Sequence, residues 1–230
     1  VMSLPDKIAE MCEAFNGRIG LSASSLQTKE TVGYRSDEIF PTASVIKLPV
    51  LLTLMQQVED GLFSLDDPLM LRRSDKIGGS GLLQHLSPGL TMSLRDWAFL
   101  MMNVSDNLAT NVLIDQVCLE NVQRWLADNE YPDVQLHRKI DFAIIKTDQN
   151  ELGTATPDGL TRMMTAVFQQ KHVTPAACTE MLRMMHKVGA DRVGRYLPFE
   201  PWESGVPDEE KLQLAGKTGS FVGTRAQTAV

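Results

Sequence analysis

The chain has 230 residues, of which 43% are hydrophobic and 22% charged, as in a globular protein with a sizeable core. Its formal net charge of −7 argues against nucleic acid as the main partner, because phosphate binding requires clustered Lys and Arg. The longest apolar run, Leu48 to Met55, is broken by Pro49 and is too short to span a bilayer. No basic segment followed by an apolar one opens the chain, so no uncleaved export signal is predicted.

The first forty residues predict a helix followed by a β-hairpin. Ser3 and Pro5 are typical of a helix start, and Gly17 ends the helical spacing. Alternating apolar and polar residues after Ile19 and around Val32 predict two short strands.

Helices dominate the predicted structure of the middle of the chain. A Gly- and Ser-rich loop over 75–89 interrupts them. Residues 132–154 have no clean period, which predicts a long surface loop of the kind that is often functional. The predicted helices are 44–60, 93–102, 106–118, 120–128, 156–171 and 174–188.

Strand patterns return at 212–218 and 226–230. Strands at both ends with helices between them predict an α+β fold, with one sheet assembled from both ends. We therefore divide the chain into an α/β subdomain, 1–42 with 205–230, and an inserted all-helical subdomain, 43–204. A cleft between two such units is a natural place for a site.

Ser44 and Lys47 form an S-x-x-K pattern at the start of a buried helix. Residues three apart lie on one helix face, so the Lys amine can reach the Ser hydroxyl. A desolvated Lys can be neutral enough to take a proton from a serine nucleophile. About one such pattern is expected by chance in this composition, so alone it also fits a structural Lys.

Two further polar motifs follow in order. Ser105-Asp106-Asn107 lies between two predicted helices, where Ser105 alone would be a helix cap. Lys217-Thr218-Gly219 ends a strand-like run, where an exposed edge strand followed by a turn is the ordinary interpretation.

Together and in this order, S-x-x-K, S-D-N and K-T-G are the signature of the class A β-lactamases and penicillin-binding proteins. The sequence resembles that serine-reactive family over nearly its whole length. Flanking residues agree, namely 33–35, 40–43 and Thr156-Pro157. The resemblance implies a β-lactamase/transpeptidase-like fold, with an antiparallel sheet flanked by helices and an inserted all-helical subdomain.

The resemblance also implies catalytic roles for the matching residues. Ser44 is expected to attack a carbonyl carbon, with Lys47 as proton acceptor or relay. Ser105 is expected to pass a proton to the leaving nitrogen, and Lys217 to keep that region positive.

Substrate-binding groups are implied around the nucleophile. Asn107 is expected to hydrogen-bond the substrate's amide side chain. Thr218 and Arg225 are expected to bind its carboxylate, which a guanidinium fork suits. The N–H groups of Ser44 and Ser220 are expected to form the oxyanion hole. An exposed strand position is an equally good interpretation of Arg225. The implied substrate-binding set is Asn107, Thr218, Gly219, Ser220 and Arg225.

The sequence departs from the family pattern on the long loop. Class A enzymes carry E-x-x-L-N there, and its Glu and Asn position the deacylating water. The Glu position falls near Ile140 or Asp141, and no such motif occurs. Asp141 is a possible shorter base, although a small misplacement of the water can cost a large factor in rate.

A second departure concerns the sheet. Family members continue after the strand that carries Arg225 with a further central strand and a helix. A sheet without them would expose unpaired backbone. We therefore expect the chain to be incomplete, or a partner segment to complete the sheet.

The leading functional hypothesis is β-lactam hydrolysis through an acyl-serine intermediate. One alternative is a peptidase or esterase on the same fold, and another is a penicillin-binding sensor that is acylated without turnover.

The expected partner is a small β-lactam or related acyl substrate, with neither nucleic acid nor a membrane span. The family resemblance favours export, while the composition leaves the compartment open. No cofactor or metal is implied, because the four His, at 85, 137, 172 and 186, have no metal-binding spacing.

Overall fold

Helices and short antiparallel strands alternate along the chain, of which this computed structural model describes residues 2–186, 188, 192–196 and 214–230. The α-helices are α1 (Leu4–Glu13), α2 (Lys47–Glu59), α3 (Leu94–Asn103), α4 (Asn107–Val117), α5 (Leu119–Asp128), α6 (Phe142–Ile145), α7 (Pro157–Phe168) and α8 (Pro175–Met184). The strands are β1 (Leu21–Ser24), β2 (Thr31–Tyr34), β3 (Phe40–Pro41), β4 (Pro68–Met70), β5 (Thr91–Ser93), β6 (Val134–Leu136), β7 (Gly153–Ala155), β8 (Gly216–Phe221) and β9 (Thr224–Ala229). The α+β fold class predicted from the sequence is confirmed.

Four helices begin at the caps that the sequence predicts. The hydroxyls of Ser3, Ser93, Thr156 and Thr174 each accept a hydrogen bond from a backbone N–H of the following turn. Three helices, α1, α7 and α8, end three or four residues earlier than the spacing of their apolar residues predicts. The pattern of apolar residues does not define the exact last residue of a helix.

The strands form small antiparallel ladders. β1 pairs with β2, β4 with β5 and β8 with β9, while β7 lies between β3 and β6. β6, α6 and the first two residues of β7 lie within 132–154, so the prediction of a continuous loop there was wrong. Strands of three residues show too little alternation to be recognised from the sequence. The strand predicted from residue 212 begins at Gly216, and residues 212 and 213 lie outside the described residues.

The hairpins β1–β2 and β8–β9 come from opposite ends of the chain, and β1 and β9 both contact α7. Within the described residues no ladder joins the two hairpins, and a groove lined by residues 20–24 and 227–230 lies between them. The predicted division into 1–42 with 205–230 and 43–204 stays a prediction, and its boundary at 204/205 lies outside the described residues.

The helical core surrounds α2. Residues Leu48 to Leu52 are fully buried against α3, α4 and α5. Pro49 is tolerated because the first turn of a helix needs no N–H donor there. This rigid element carries Lys47 at its first residue, so the core fixes the amine in place. Among the described residues, no helix has both the length and the apolar character needed to cross a membrane.

Candidate active site

A cleft of about 380 Å³ lies between the start of α2, the start of α4 and strand β8. It brings together residues of all three sequence motifs, which are far apart along the chain. The two motif lysines are fully buried and do not line it. The residues that line the cleft are Ala43, Ser44, Gly79, Ser80, Ser105, Asn107, Ile140, Phe142, Ile145, Gln149, Leu152, Thr218, Ser220, Phe221 and Val222.

Ser44 lies in the 3-10 turn Ala43–Ile46 that leads into α2. Ala43, directly before it, has φ +46°, a left-handed conformation that costs energy in a residue other than glycine. Gly219 of β8 packs against this turn so closely that a Cβ there would lie 2.8 Å from Ser44 N and 2.7 Å from the Thr42 carbonyl oxygen. The K-T-G glycine therefore allows β8 to approach the backbone of Ser44.

The amine of Lys47 is bound on the S-D-N side of the cleft. Its Nζ lies 2.9 Å from the Ser105 carbonyl oxygen, 3.0 Å from Ser105 Oγ and 3.1 Å from Asn107 Oδ1. The sequence predicted contact with the Ser44 hydroxyl, but within the described residues Nζ has no hydrogen bond to it. Burial lowers the pKa of Lys47 well below its usual value, the nearby Lys217 lowers it further, and Asp106 partly opposes this.

A neutral Lys47 has two N–H donors and one lone pair. Of its three partners only the Ser105 hydroxyl can donate a hydrogen bond, since the other two are carbonyl-type oxygens. Three acceptors around Nζ match the three donors of the ammonium form, and the neutral form, whose formation burial favours, can accept from Ser105 Oγ and exchange a proton with it.

Asp106 connects the S-D-N turn to the loop that contains Leu82 and Leu83 through hydrogen bonds. Its Oδ2 accepts from the N–H groups of Leu82 and Leu83 at 2.6 and 2.9 Å, and its Oδ1 caps α4. Gly81 has φ +112°, and a Cβ there would lie 2.3 Å from the carboxylate, so the loop closes on Asp106 only with glycine. Asp106 was assigned no separate role from the sequence, although an Asp directly before a helical run is a recognisable capping signal.

Lys217 lies behind the K-T-G strand, with its Nζ 2.8 Å from the Thr218 carbonyl oxygen. Burial, and then the neighbouring positive charge of Arg192, lower its pKa to about 7. Near neutral pH this amine therefore changes between its charged and neutral forms.

Two arginines lie near β8, and only Arg225 was expected from the sequence to bind substrate. Arg225 does not line the cleft, and its guanidinium donates to the carbonyl oxygens of Phe221 and Thr224. Arg192 instead donates to Ser220 Oγ at 2.6 Å and to the Gly219 carbonyl oxygen at 3.1 Å. No sequence motif marks Arg192, because its position beside β8 depends on tertiary folding.

Asp141 is not among the cleft residues either. Its carboxylate accepts from the N–H of Ala143 at 2.9 Å as the cap of α6, and it lines the adjoining cavity. Ile140 and Phe142, on either side of it in sequence, face the cleft. Capping requires the Asp141 side chain to point back along its own turn, which turns it from the cleft. The loop therefore contributes an apolar wall, and no Asp or Glu of the described chain lines the cleft.

Comparison with known proteins identifies relatives. A family model described as "Beta-lactamase enzyme family" matches residues 3–230. A β-lactamase from Rhodobacter capsulatus is 26% identical over 235 residues, covering 100% of this chain and 75% of that protein. Other curated β-lactamases are matched over as little as 44% or 36% of their own length.

Solved structures share the fold. The crystal structure of a β-lactamase from Sphaerobacter thermophilus DSM 20745 has a TM-score of 0.85 and 31% identity, covering 97% of this chain and 81% of that one. A mutant of PBP-A, solved as an acyl-enzyme complex with penicillin G, has a TM-score of 0.79 and 22% identity, covering 94% of this chain and 77% of that one.

Proposed function

The chain belongs to the beta-lactamase enzyme family and is a β-lactamase-like serine hydrolase; on that premise we propose that it opens β-lactam amides through an acyl ester on Ser44. The observation that carries the proposal is the buried amine of Lys47 beside Ser105, at a cleft lined by the hydroxyl of Ser44. An amine with a lowered pKa supplies the base that a serine nucleophile requires.

In the proposed acylation, Ser44 Oγ attacks the lactam carbonyl carbon and its proton passes to the neutral Lys47. The C–N bond then breaks, and the nitrogen takes the proton of Ser105 Oγ. Ser105 recovers a proton from Lys47 across their 3.0 Å contact, so the amine ends neutral. The N–H groups of Ser44, in the first turn of its helix, and of Ser220, on strand β8, are proposed to stabilise the oxyanion. The first N–H groups of a helix have no internal partner, so that of Ser44 is available to a ligand.

We assign the binding of the substrate carboxylate to Thr218 and Ser220, supported by Arg192. The guanidinium of Arg192 orients the Ser220 hydroxyl and adds positive charge at this end of the cleft. Arg225 is not part of this assignment, because its donors are directed to backbone oxygens of its own hairpin.

Arg192→Ala is therefore expected to raise KM for penicillins about tenfold or more, the effect of losing a charge-assisted contact. Steady-state kinetics measure the change, and Arg225→Ala is the matched control, expected to change KM less than about twofold. A larger effect of Arg225→Ala than of Arg192→Ala would contradict the assignment.

The apolar wall favours a second candidate, a penicillin-binding sensor that stays acylated. With no carboxylate among the described cleft residues, Lys47 is the remaining base for a deacylating water. Hydrolysis is then expected to be slow relative to acylation, because water is poorly positioned against Ile140 and Phe142.

A chromogenic cephalosporin distinguishes the two candidates. We expect a burst equal to one product per protein molecule, followed by slow steady turnover. A burst with no turnover identifies the sensor, and the absence of any reaction rules out both.

We also propose that a further segment pairs in the groove between β1 and β9. The groove presents the edges of both strands over a floor formed by Leu160 and Thr161 of α7. A strand added there would join the two hairpins into one continuous antiparallel sheet.

A further inference from the structure

Two aromatic rings meet at the apolar end of the cleft. Phe142 comes from α6 and Phe221 from the end of β8, so they belong to opposite sides of the cleft. Their centroids are 6.4 Å apart and their planes differ by 11°, an offset parallel arrangement that aromatic pairs favour. Both rings are only half-buried, so the pair offers unoccupied aromatic surface to the cleft.

The ring of Phe142 also reaches the wall that holds the S-D-N motif. A Cβ added at Gly79 would lie 2.7 Å from Phe142 Cζ and 2.5 Å from Asn107 Nδ2. Gly79 has φ +92°, so both the backbone conformation and the close approach require glycine there. The Phe142 ring therefore lies next to the amide of Asn107.

A hydrogen bond holds this end of the cleft together. Gln149 Nε2 donates to the Val222 carbonyl oxygen at 2.8 Å, which links the loop before β7 to the tip of the β8–β9 hairpin. The contact keeps the hairpin, and with it Phe221, against Phe142. The aromatic surface is thus a formed part of the cleft.

We propose that Phe142, together with Phe221, is the specificity-determining element for the group carried on the amide of the substrate, and that it selects flat aromatic groups. This inference rests on the proposed function, in which Asn107 binds that amide. An aromatic ring attached one or two atoms beyond the substrate amide packs on the ring of Phe142. A methyl group in its place is too small to cover the Phe142 ring, which then stays in contact with water.

Two penicillins that differ only in this group test the inference: benzylpenicillin, and 6-acetamidopenicillanic acid, which keeps the amide and lacks the ring. The measured quantity is the second-order rate constant for acylation of Ser44, followed by mass spectrometry. The wild-type protein is expected to prefer benzylpenicillin about tenfold or more. Phe142→Ala is expected to reduce the preference to about twofold or less.

Phe142→Leu keeps an apolar side chain at this position and serves as the test should the Ala variant fail to fold. It is also expected to lose most of the preference for benzylpenicillin. Phe168→Ala removes a ring at the exposed end of α7, outside the cleft, and is expected to keep the wild-type preference. Equal rates for the two penicillins, or an unchanged preference in Phe142→Leu, overturns this inference. Absence of any Ser44 adduct with either compound overturns the proposed function instead.

Discussion

Ser44→Ala is expected to abolish covalent labelling by penicillins, lowering the acylation rate by about four orders of magnitude or more, because it removes the hydroxyl that forms the acyl ester. Intact-mass measurement after incubation with benzylpenicillin shows the adduct directly. The melting temperature is expected to stay within about 2 °C of the wild-type value, since the residue lies at the cleft surface and loses only one hydroxyl.

The other serines of the cleft explain why the loss should be so complete. Ser80 Oγ donates to the Ser105 carbonyl oxygen, Ser105 Oγ contacts Lys47, and Ser220 Oγ accepts from Arg192. Ser44 Oγ has no hydrogen bond within the described part of the chain, which leaves it available to a substrate. An exposed serine outside the cleft, Ser74, provides the matched Ala control, and its variant should label normally. A stoichiometric adduct on Ser44→Ala would refute the assignment of the nucleophile.

The sequence was sufficient to predict the elements that depend on local signals. The caps at Ser3 and Thr156 and the three motifs follow from residue type and spacing, and the structure brings the motifs to one cleft. The side-chain orientations in 132–154 were harder to predict, because a shift of one residue decides which side chain faces the cleft. Ile140 faces the cleft, whereas its neighbour Asp141 caps α6. The hydrophobic pattern of the sequence does not distinguish these two orientations.

Other features of the site depend on tertiary structure alone. Arg192 reaches β8 from a segment with no motif, so only folding identifies it as a neighbour of Ser220. The left-handed backbone of Ala43 and Ser105, with φ of +46° and +56°, is equally unexpected, because neither residue type favours that region. Strain of this kind persists only where surrounding contacts enforce it, and both residues flank the catalytic contacts proposed here.

Lys47→Ala is expected to slow acylation by two to four orders of magnitude, roughly the contribution of a positioned general base. Burial lowers the pKa of Lys47, so the amine loses its proton at a lower pH than an exposed lysine does. The wild-type acylation rate should therefore rise with pH as this amine becomes neutral. Stopped-flow acylation across a pH series measures the rise, and the Ala variant should lack it.

Lys47→Arg separates a base from a structural cation. The guanidinium keeps a positive charge and hydrogen-bond donors near Ser105 and Asn107, but it stays protonated and cannot accept the Ser44 proton. Its acylation rate is therefore expected to fall about as far as that of the Ala variant. Lys139→Ala, which removes an exposed amine paired with Asp115, is the matched control and should acylate normally. If Lys47→Arg retained the wild-type rate, Lys47 would act through charge and hydrogen bonding alone, and the base in the mechanism would have to be another group.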